Sequence, residues 1–400
     1  MMVKKRIDNL FFIVIFTIMI LVTIITVVKT DSFKDGLFEI IDQNNNSASD
    51  RISDFEVLYE EQIWKRYDWV NLSGAFSKVC GTRTMYKADN VNVGTNGYIF
   101  GPYSKTSTDY EFEQILEFEK YLSNKDIGFI YVNEPVKYIN DKETLVQFGQ
   151  YGYGNQNADK LIQRLNDAGI NCLDLRDCVV AEGKDCWDLF YRTDHHWTVP
   201  AGLWATKHIV SALNEDMGFE INLESLGNDK FDFQQYDDAW LGEQGRRVAA
   251  TYIGYDDYTL VEPVGPVKLT LLRNGEIAAQ GGFDILLDKS RLDVEADPYA
   301  VPSWHYTYLP EGISGSYIIN NDIETGRILF LGDSYDQVVV PFLALCVHEV
   351  DAYVLRNTDA SVRDIVESGD YDAVVMAYAQ LNIGAHDNPD NANFRMYDLE

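Results

Sequence analysis

Cysteine is scarce, with five in 400 residues (Cys80, Cys172, Cys178, Cys186 and Cys346), and none stands in the CxxC spacing of a metal site. Five is an odd number for an exported chain. Cys178 and Cys186 are near enough in sequence to bridge a short loop, but structural or free thiols are the expectation. Positive charge is also short. Lys and Arg number 33 against 63 Asp and Glu, for a formal net charge of −30. Residues 1–29 hold Lys4, Lys5, Arg6 and Lys29 against Asp8, a sum of +3, which leaves −33 for the remainder. A body so acidic is repelled by phosphate backbones, which argues against nucleic acid as a partner. Solubility accounts for most of this charge, and a cationic or neutral substrate suits it better than a polyanion. There is no internal repeat, and the only low-complexity run noted is the polar stretch 44–49 (Asn44 to Asn46, then Ser47, Ala48 and Ser49). The chain is long and apolar enough to bury a substantial core.

What is present begins with 19 uncharged residues at 10–28 (LFFIVIFTIMILVTIITVV). At 1.5 Å per residue they span a hydrocarbon core of about 30 Å. Thr17, Thr23 and Thr26 are tolerable there because a helical threonine bonds its hydroxyl back to the preceding turn. Lys4, Lys5 and Arg6 come first, so residues 1–9 are expected to stay cytoplasmic and the body to be exported, as a single-pass cell-membrane protein. A cleaved signal peptide would have a shorter apolar core and a small-x-small site. Here the run ends Val27-Val28-Lys29-Thr30-Asp31, so an uncleaved signal anchor is expected.

Residues 30–90 read as a stem with one helix at about 50–67, then irregular chain. An α/β alternation follows over 91–214. Asn96 to Phe100 is a turn feeding a strand, 109–122 has helical spacing, and 127–132 is a strand apolar on both faces. A helix at 158–168 and a strand at 170–175 repeat the unit. A further helix at 199–214 has Thr198 as N-cap and Pro200 in its first turn. Residues 215–325 break the pattern with short alternating runs, and Asn274-Gly275 is a hairpin signal, so this is a β-rich insertion. The alternation returns over 326–400: strand 327–331, helix 338–345, strand 349–355, helix 361–367 and strand 371–378. The sum is an α/β protein with a parallel, three-layer α/β/α sheet, interrupted by the β-rich insertion and carried on an N-terminal transmembrane helix.

Two segments carry chemistry. Leu329 to Leu331 runs into Gly332-Asp333-Ser334 and then a helix, which puts Ser334 at the carboxyl end of a parallel strand. There the helix N-terminus offers N–H groups to a developing oxyanion. An ordinary N-cap at Asp333 or Ser334 reads equally well. The second segment is Tyr191-Arg192-Thr193-Asp194-His195-His196-Trp197. Two of only six histidines are adjacent here, beside an aspartate and ahead of a helix. A serine nucleophile needs an imidazole base, and the imidazole a carboxylate to fix its tautomer. A metal site, a polar turn or core histidines are the alternatives, but no third or fourth metal ligand is evident nearby.

Together these segments resemble the DHHW family, relatives of the alginate O-acetyltransferases within the SGNH hydrolase-like superfamily. The resemblance rests on Asp194-His195-His196-Trp197, Gly332-Asp333-Ser334 and Asn96-Gly97-Tyr98-Ile99-Phe100. It covers roughly residues 90–215 and 325–400. It implies an SGNH-hydrolase-like fold with Ser334 as nucleophile, and a pairing of Asp194 with His196, the two standing two apart. The order, with the histidine before the serine, is that of the alginate acetylation proteins. His195 occupies the variable position between the pair. Arg356 sits where related sequences often have an arginine at the site, and Gly332 and His195 complete the residues expected at the substrate or oxyanion. Asn382 follows the last strand, but the Gly-x-Asn block of typical SGNH hydrolases is missing there.

The activity implied is O-acetyl transfer to an exopolysaccharide or cell-wall glycan through an acyl-serine, with no cofactor and no metal. The partners implied are that glycan, the membrane through residues 10–28, and a membrane-embedded acyltransferase that exports the acetyl group. An esterase, with water as acceptor, uses the same triad. A non-catalytic glycan-binding scaffold is a further reading. Trp240, Trp304, Tyr306 and Tyr308 of the insertion are expected in the core, the other use of such aromatics being a sugar-binding wall.

Overall fold

The structure is a computed structural model that describes residues 2–42, 47–85, 91–139, 152–293, 295–299 and 303–400. Residues 44–46 of the polar stretch and the stem end, 86–90, lie outside the described residues. The chain divides into two compact units, Met1–Ser77 and Lys78–Glu400.

The first unit is helical: α1 (Met2–Lys29), α2 (Asp31–Asp42), α3 (Ala48–Gln62) and the start of α4 (Arg66–Val79). Irregular chain was expected after 67; the apolar positions Trp69, Leu72, Phe76 and Val79 instead recur at helical spacing. A capping box starts α3, with Ser47 Oγ accepting from the Asp50 amide and Asp50 Oδ2 accepting from the Ser47 amide. Thr17, Thr23 and Thr26 donate their hydroxyls to the carbonyls of Ile13, Met19 and Val22, each one turn back. Among the described residues no single helix is long and apolar enough to cross a membrane. The stretch from Phe16 to Lys29 qualifies only with α2, as a pair bent by 98°. The expected span at 10–28 begins with residues 10–12, whose side chains lie outside the described residues.

The second unit opens with an antiparallel ribbon, β1 (Thr84–Met85), β2 (Val91–Val93) and β3 (Ile99–Phe100). The α/β alternation then runs α5 (Asp109–Ser123), β4 (Gly128–Glu134), α6 (Gly154–Asp167), β5 (Cys172–Asp174), α7 (Leu175–Ala181) and α8 (Val199–Met217). Thr198 caps α8 by accepting from the Ala201 amide, and Gly218 closes it in the left-handed conformation. The middle of the chain holds β6 (Phe231–Trp240), α9 (Glu243–Val248), α10 (Ala250–Ile253), β7 (Asp256–Pro263), β8 (Leu269–Arg273), β9 (Glu276–Gly281) and β10 (Ser316–Asn320). The alternation ends with β11 (Arg327–Leu331), α11 (Val340–Leu343), β12 (Glu349–Tyr353), α12 (Val362–Ser368) and β13 (Ala373–Ala379). The helix expected at 338–345 is thus shorter, because Ser334–Val338 forms a tight 3₁₀ turn first.

Among the described residues the main sheet has eight strands in the order β5-β4-β13-β11-β12-β10-β8-β9. The five from β5 to β12 are parallel; β10, β8 and β9 add in antiparallel fashion. The expectation of a parallel sheet is corrected to a mixed one. The insertion is not an appendage either, since three of its strands extend the sheet edge at β12. Asn274 and Gly275 both take positive φ and form the hairpin turn between β8 and β9. β13 reads AVVMAYA with all seven residues buried, as a central parallel strand covered on both faces should. Among the described residues no disulfide forms, and Cys178 and Cys186 do not bridge.

Candidate active site

The carboxyl end of β11 leads through Gly332 and Asp333 into the 3₁₀ turn, and Ser334 is half-buried at its start. Asp333 is the N-cap, accepting the Tyr335 amide at 2.8 Å, and it also accepts from the Ala379 amide at the end of β13 and from Asn382 Nδ2. The cap reading of this segment therefore holds for Asp333, and leaves Ser334 free to face the site. Asn382 Nδ2 is thus committed to Asp333. The Gly332 amide donates to the Tyr353 carbonyl at 2.9 Å, so it is occupied and offers nothing to an oxyanion. The Ser334 amide carries no hydrogen bond among the described residues, which leaves it as the available donor.

Asp194 and His196 precede α8. His196 Nδ1 stands 2.7 Å from Asp194 Oδ1, and Nε2 stands 2.9 Å from Ser334 Oγ. Residues 138 apart in sequence thus form a Ser–His–Asp chain of hydrogen bonds in which Nδ1 is the donor and Nε2 the acceptor. Both Asp194 oxygens are engaged: Oδ1 also accepts the His196 amide, and Oδ2 accepts the Glu243 amide at 2.7 Å. Burial opposes ionisation of Asp194, but the His196 imidazole, their hydrogen bond, His195 and the Glu243 amide outweigh it and hold the carboxyl well below its ordinary range. Burial also holds the His196 imidazole well below the ordinary histidine value, helped by His195 and His305 and opposed by Asp194. The base is neutral at neutral pH.

His195 is only partly buried. Its Nδ1 lies 3.5 Å from Asp194 Oδ1, and its ring lies over that of His196 with centroids 3.9 Å apart. Asp194, His195 and His196 each present one atom within 4.8 Å of the others, a spacing that admits a metal ion. Asp194 already accepts three N–H groups, however, and His196 Nε2 faces the serine, so the donor set fits proton transfer and not coordination. Arg356 is half-buried and hydrogen-bonded through Nη1 to Asn393 Oδ1; its charge favours ionisation of Asp333 and Tyr306.

The insertion supplies residues that the sequence did not point to. His305, 1% exposed, stacks on His196 with centroids 3.8 Å apart and rings within 15° of parallel. Its Nε2 is 2.6 Å from the Ser334 carbonyl, so that nitrogen carries the proton. Burial brings the pKa of His305 down to about 4, and the ring is neutral. Asp256, at the start of β7, accepts the Arg192 and Thr193 amides at 2.7 and 2.8 Å and the Thr193 hydroxyl at 2.5 Å. Thr193 Oγ1 in turn accepts the Gly242 amide, and its carbonyl accepts the Gly245 amide. A Cβ at Gly242 would overlap Asp194 Cβ and come within 2.6 Å of the Thr193 carbonyl, so only glycine permits this approach. Buried Lys137 donates to the carbonyls of Ile99 and Arg192, and burial lowers its pKa to about 7. Trp240, Trp304 and Tyr308 are fully buried core; Tyr306 of the four aromatics stays partly exposed. The scarcity of histidine could have drawn attention to His305. Asp256 and Gly242 carry no local signal.

Residues 102–240 match the family model of the SGNH hydrolase-like domain of the acetyltransferase AlgX, a stretch that includes Asp194 and His196 and stops short of Ser334. No curated protein sequence matches the chain. The solved structure of Bacillus cereus PatB1 with a sulfonyl adduct superposes with a TM-score of 0.60 at 15% identity, over 76% of this chain and 98% of that one. A DHHW family protein from Eubacterium siraeum gives 0.54 at 14% identity, over 76% and 92%. In matched sequence the chain resembles the SGNH hydrolase-like domain of AlgX, and in fold it resembles PatB1 and the DHHW family protein.

Proposed function

We propose that this protein is a membrane-anchored, extracellular O-acetyltransferase that modifies a glycan through an acyl-serine. One observation carries the reading: His196 stands between Asp194 and Ser334 at 2.7 and 2.9 Å. The match to the AlgX acetyltransferase domain supports acetyl transfer as the class of reaction. The 19 uncharged residues after Lys4, Lys5 and Arg6 support the anchor, with the site exported. An acetyl-exporting membrane acyltransferase is the partner this arrangement calls for.

In the first half-reaction Ser334 Oγ attacks the donor's acetyl carbonyl while its proton passes to His196 Nε2. The oxyanion meets the Ser334 amide, and the imidazolium is stabilised by Asp194. Collapse breaks the donor's acyl bond, and His196 returns the proton to the leaving group. A sugar hydroxyl then gives its proton to Nε2 and attacks the acyl-serine, and Ser334 leaves with that proton.

A sulfonyl fluoride and intact-mass analysis test the reading. One adduct at Ser334 is expected, absent from Ser334→Ala and His196→Ala. A chain that gains no adduct and does not cleave an activated aryl acetate is a binding scaffold instead. With the acetate as donor, acetylated oligosaccharide marks a transferase and free acetate alone marks an esterase. Because the folded His196 value lies below 6.5, the imidazole stays neutral until the pH drops through that lower value. The labelling rate should therefore hold level from pH 8 to 6.5 and decline only below. A decline already beginning at pH 7.5 contradicts the neutral base.

A further inference from the structure

Beneath the serine turn lies a set of carboxyl groups that the acyl-transfer steps do not use. Glu134 ends β4, and Asp333 and Asp336 flank Ser334. All three are at most 2% exposed, and each offers an oxygen within 4.8 Å of the others. Asp333 is satisfied by Tyr335, Ala379 and Asn382. Asp336 Oδ2 accepts the Asp333 amide at 2.8 Å. Three buried oxygens remain, Asp336 Oδ1 and both of Glu134, and none has a donor among the described residues. Buried carboxylates left in that state are costly enough to demand a partner.

A cation or a proton would meet the need. A hard cation gathers six or more oxygen ligands. Here only two residues have oxygens to give, and the third already faces three N–H donors. A proton requires just two oxygens. We propose that Glu134 and Asp336 share one proton, and that this acid–carboxylate pair is a positioning device for the serine turn. Glu134 donates to Asp336 Oδ1 while Asp336 Oδ2 keeps the Asp333 amide, so the end of β4 is latched to the residue preceding Ser334. A Cβ at Gly332 would stand 2.5 Å from Asp336 Oδ2, so glycine lets the latch close.

The electrostatics agree. Burial pushes Glu134 and Asp336 well above the ordinary carboxylate range, and repulsion from Asp333 adds to it. The other groups facing the pair are Tyr335 and Tyr378, both kept protonated chiefly by burial, and Arg356, whose charge acts on Asp333 and Tyr378. Among the described residues no cation pairs with Glu134 or Asp336.

The role of the latch rests on the acyl-serine reading, and two measurements on the full chain keep them apart. The first is thermal unfolding of the parent and of Glu134→Gln from pH 5 to 9. An unfolded glutamate ionises near pH 4.3, whereas the folded pair keeps its proton. The folded state then binds more protons, and its stability falls as pH rises. Glutamine donates the same hydrogen bond without titrating. Relative to Glu134→Gln, the parent's unfolding constant should rise about tenfold per pH unit until the folded pair titrates. A ratio independent of pH overturns the shared proton, as does a Glu134→Gln chain that does not fold. A parent melting point shifted by Ca²⁺, Mg²⁺ or EDTA, with Glu134→Gln unmoved, replaces the proton with a cation. The second measurement is sulfonyl labelling of Ser334. Glu134→Gln should label within about threefold of the parent, and Glu134→Leu about a hundredfold more slowly. Equal labelling of Glu134→Leu overturns the positioning role. Absence of labelling in the parent sinks the acyl-serine reading alone and leaves the melting result standing.

Discussion

Asp194→Asn should lower the rate of Ser334 acylation by about 10⁴ while leaving the chain folded. The carboxylate accepts from His196 twice and from the Glu243 amide once. An asparagine cannot accept all three. With its oxygen toward His196, its amide nitrogen faces the Glu243 N–H; turned the other way, it faces the His196 N–H and imposes the tautomer in which Nε2 carries the proton. In neither orientation does a negative charge remain to stabilise the imidazolium, which forms in a buried site between His195 and His305. Second-order labelling by the sulfonyl fluoride at pH 7.5 measures the effect. A variant within tenfold of the parent would show that the carboxylate is not part of the machinery.

The second large effect is on stability. Asp256→Ala leaves the part-buried Arg192 amide, the buried Thr193 amide and the Thr193 hydroxyl without their acceptor. At about 1–3 kcal/mol for each unsatisfied group, and allowing for partial relaxation, the cost is about 3–5 kcal/mol. The damage does not stop at β7. Thr193 Oγ1 is the acceptor for Gly242, and the next residue, Glu243, holds Asp194. A displaced Thr193 therefore displaces the carboxylate, and acylation should slow by about a hundredfold. Denaturant unfolding together with labelling tests both parts. Full activity in a chain that has lost stability would uncouple the insertion from the site. Unchanged stability would mean that the Asp256 contacts contribute nothing net.

This dependence on Asp256 shows where local patterns stop. Strands such as Arg327–Leu331 and Ala373–Ala379 were legible because they are covered on both faces and so read as unbroken apolar runs. The Asn274-Gly275 hairpin was legible because only residues tolerant of positive φ occupy such a turn. α4 was missed, since its apolar residues repeat at helical spacing but the helix is interrupted before it, at Ile63, Trp64 and Lys65. The parallel reading of the sheet failed for the insertion because alternation reveals a strand and not its neighbour.

The amino-acid sequence alone determined most strands and helices of the α/β alternation, and that an Asp-x-His and a Gly-Asp-Ser would stand at element ends. Periodicity, caps and turn residues act within a few positions of one another, and so they can be read in one dimension. Only the tertiary structure decided that His196 meets Ser334, that His305 and Asp256 brace them from the insertion, and that Glu134 lies under the turn. These contacts join residues 29 to about 200 positions apart. Each depends on long-range packing that closes loops of that length, and no local pattern encodes which closure wins.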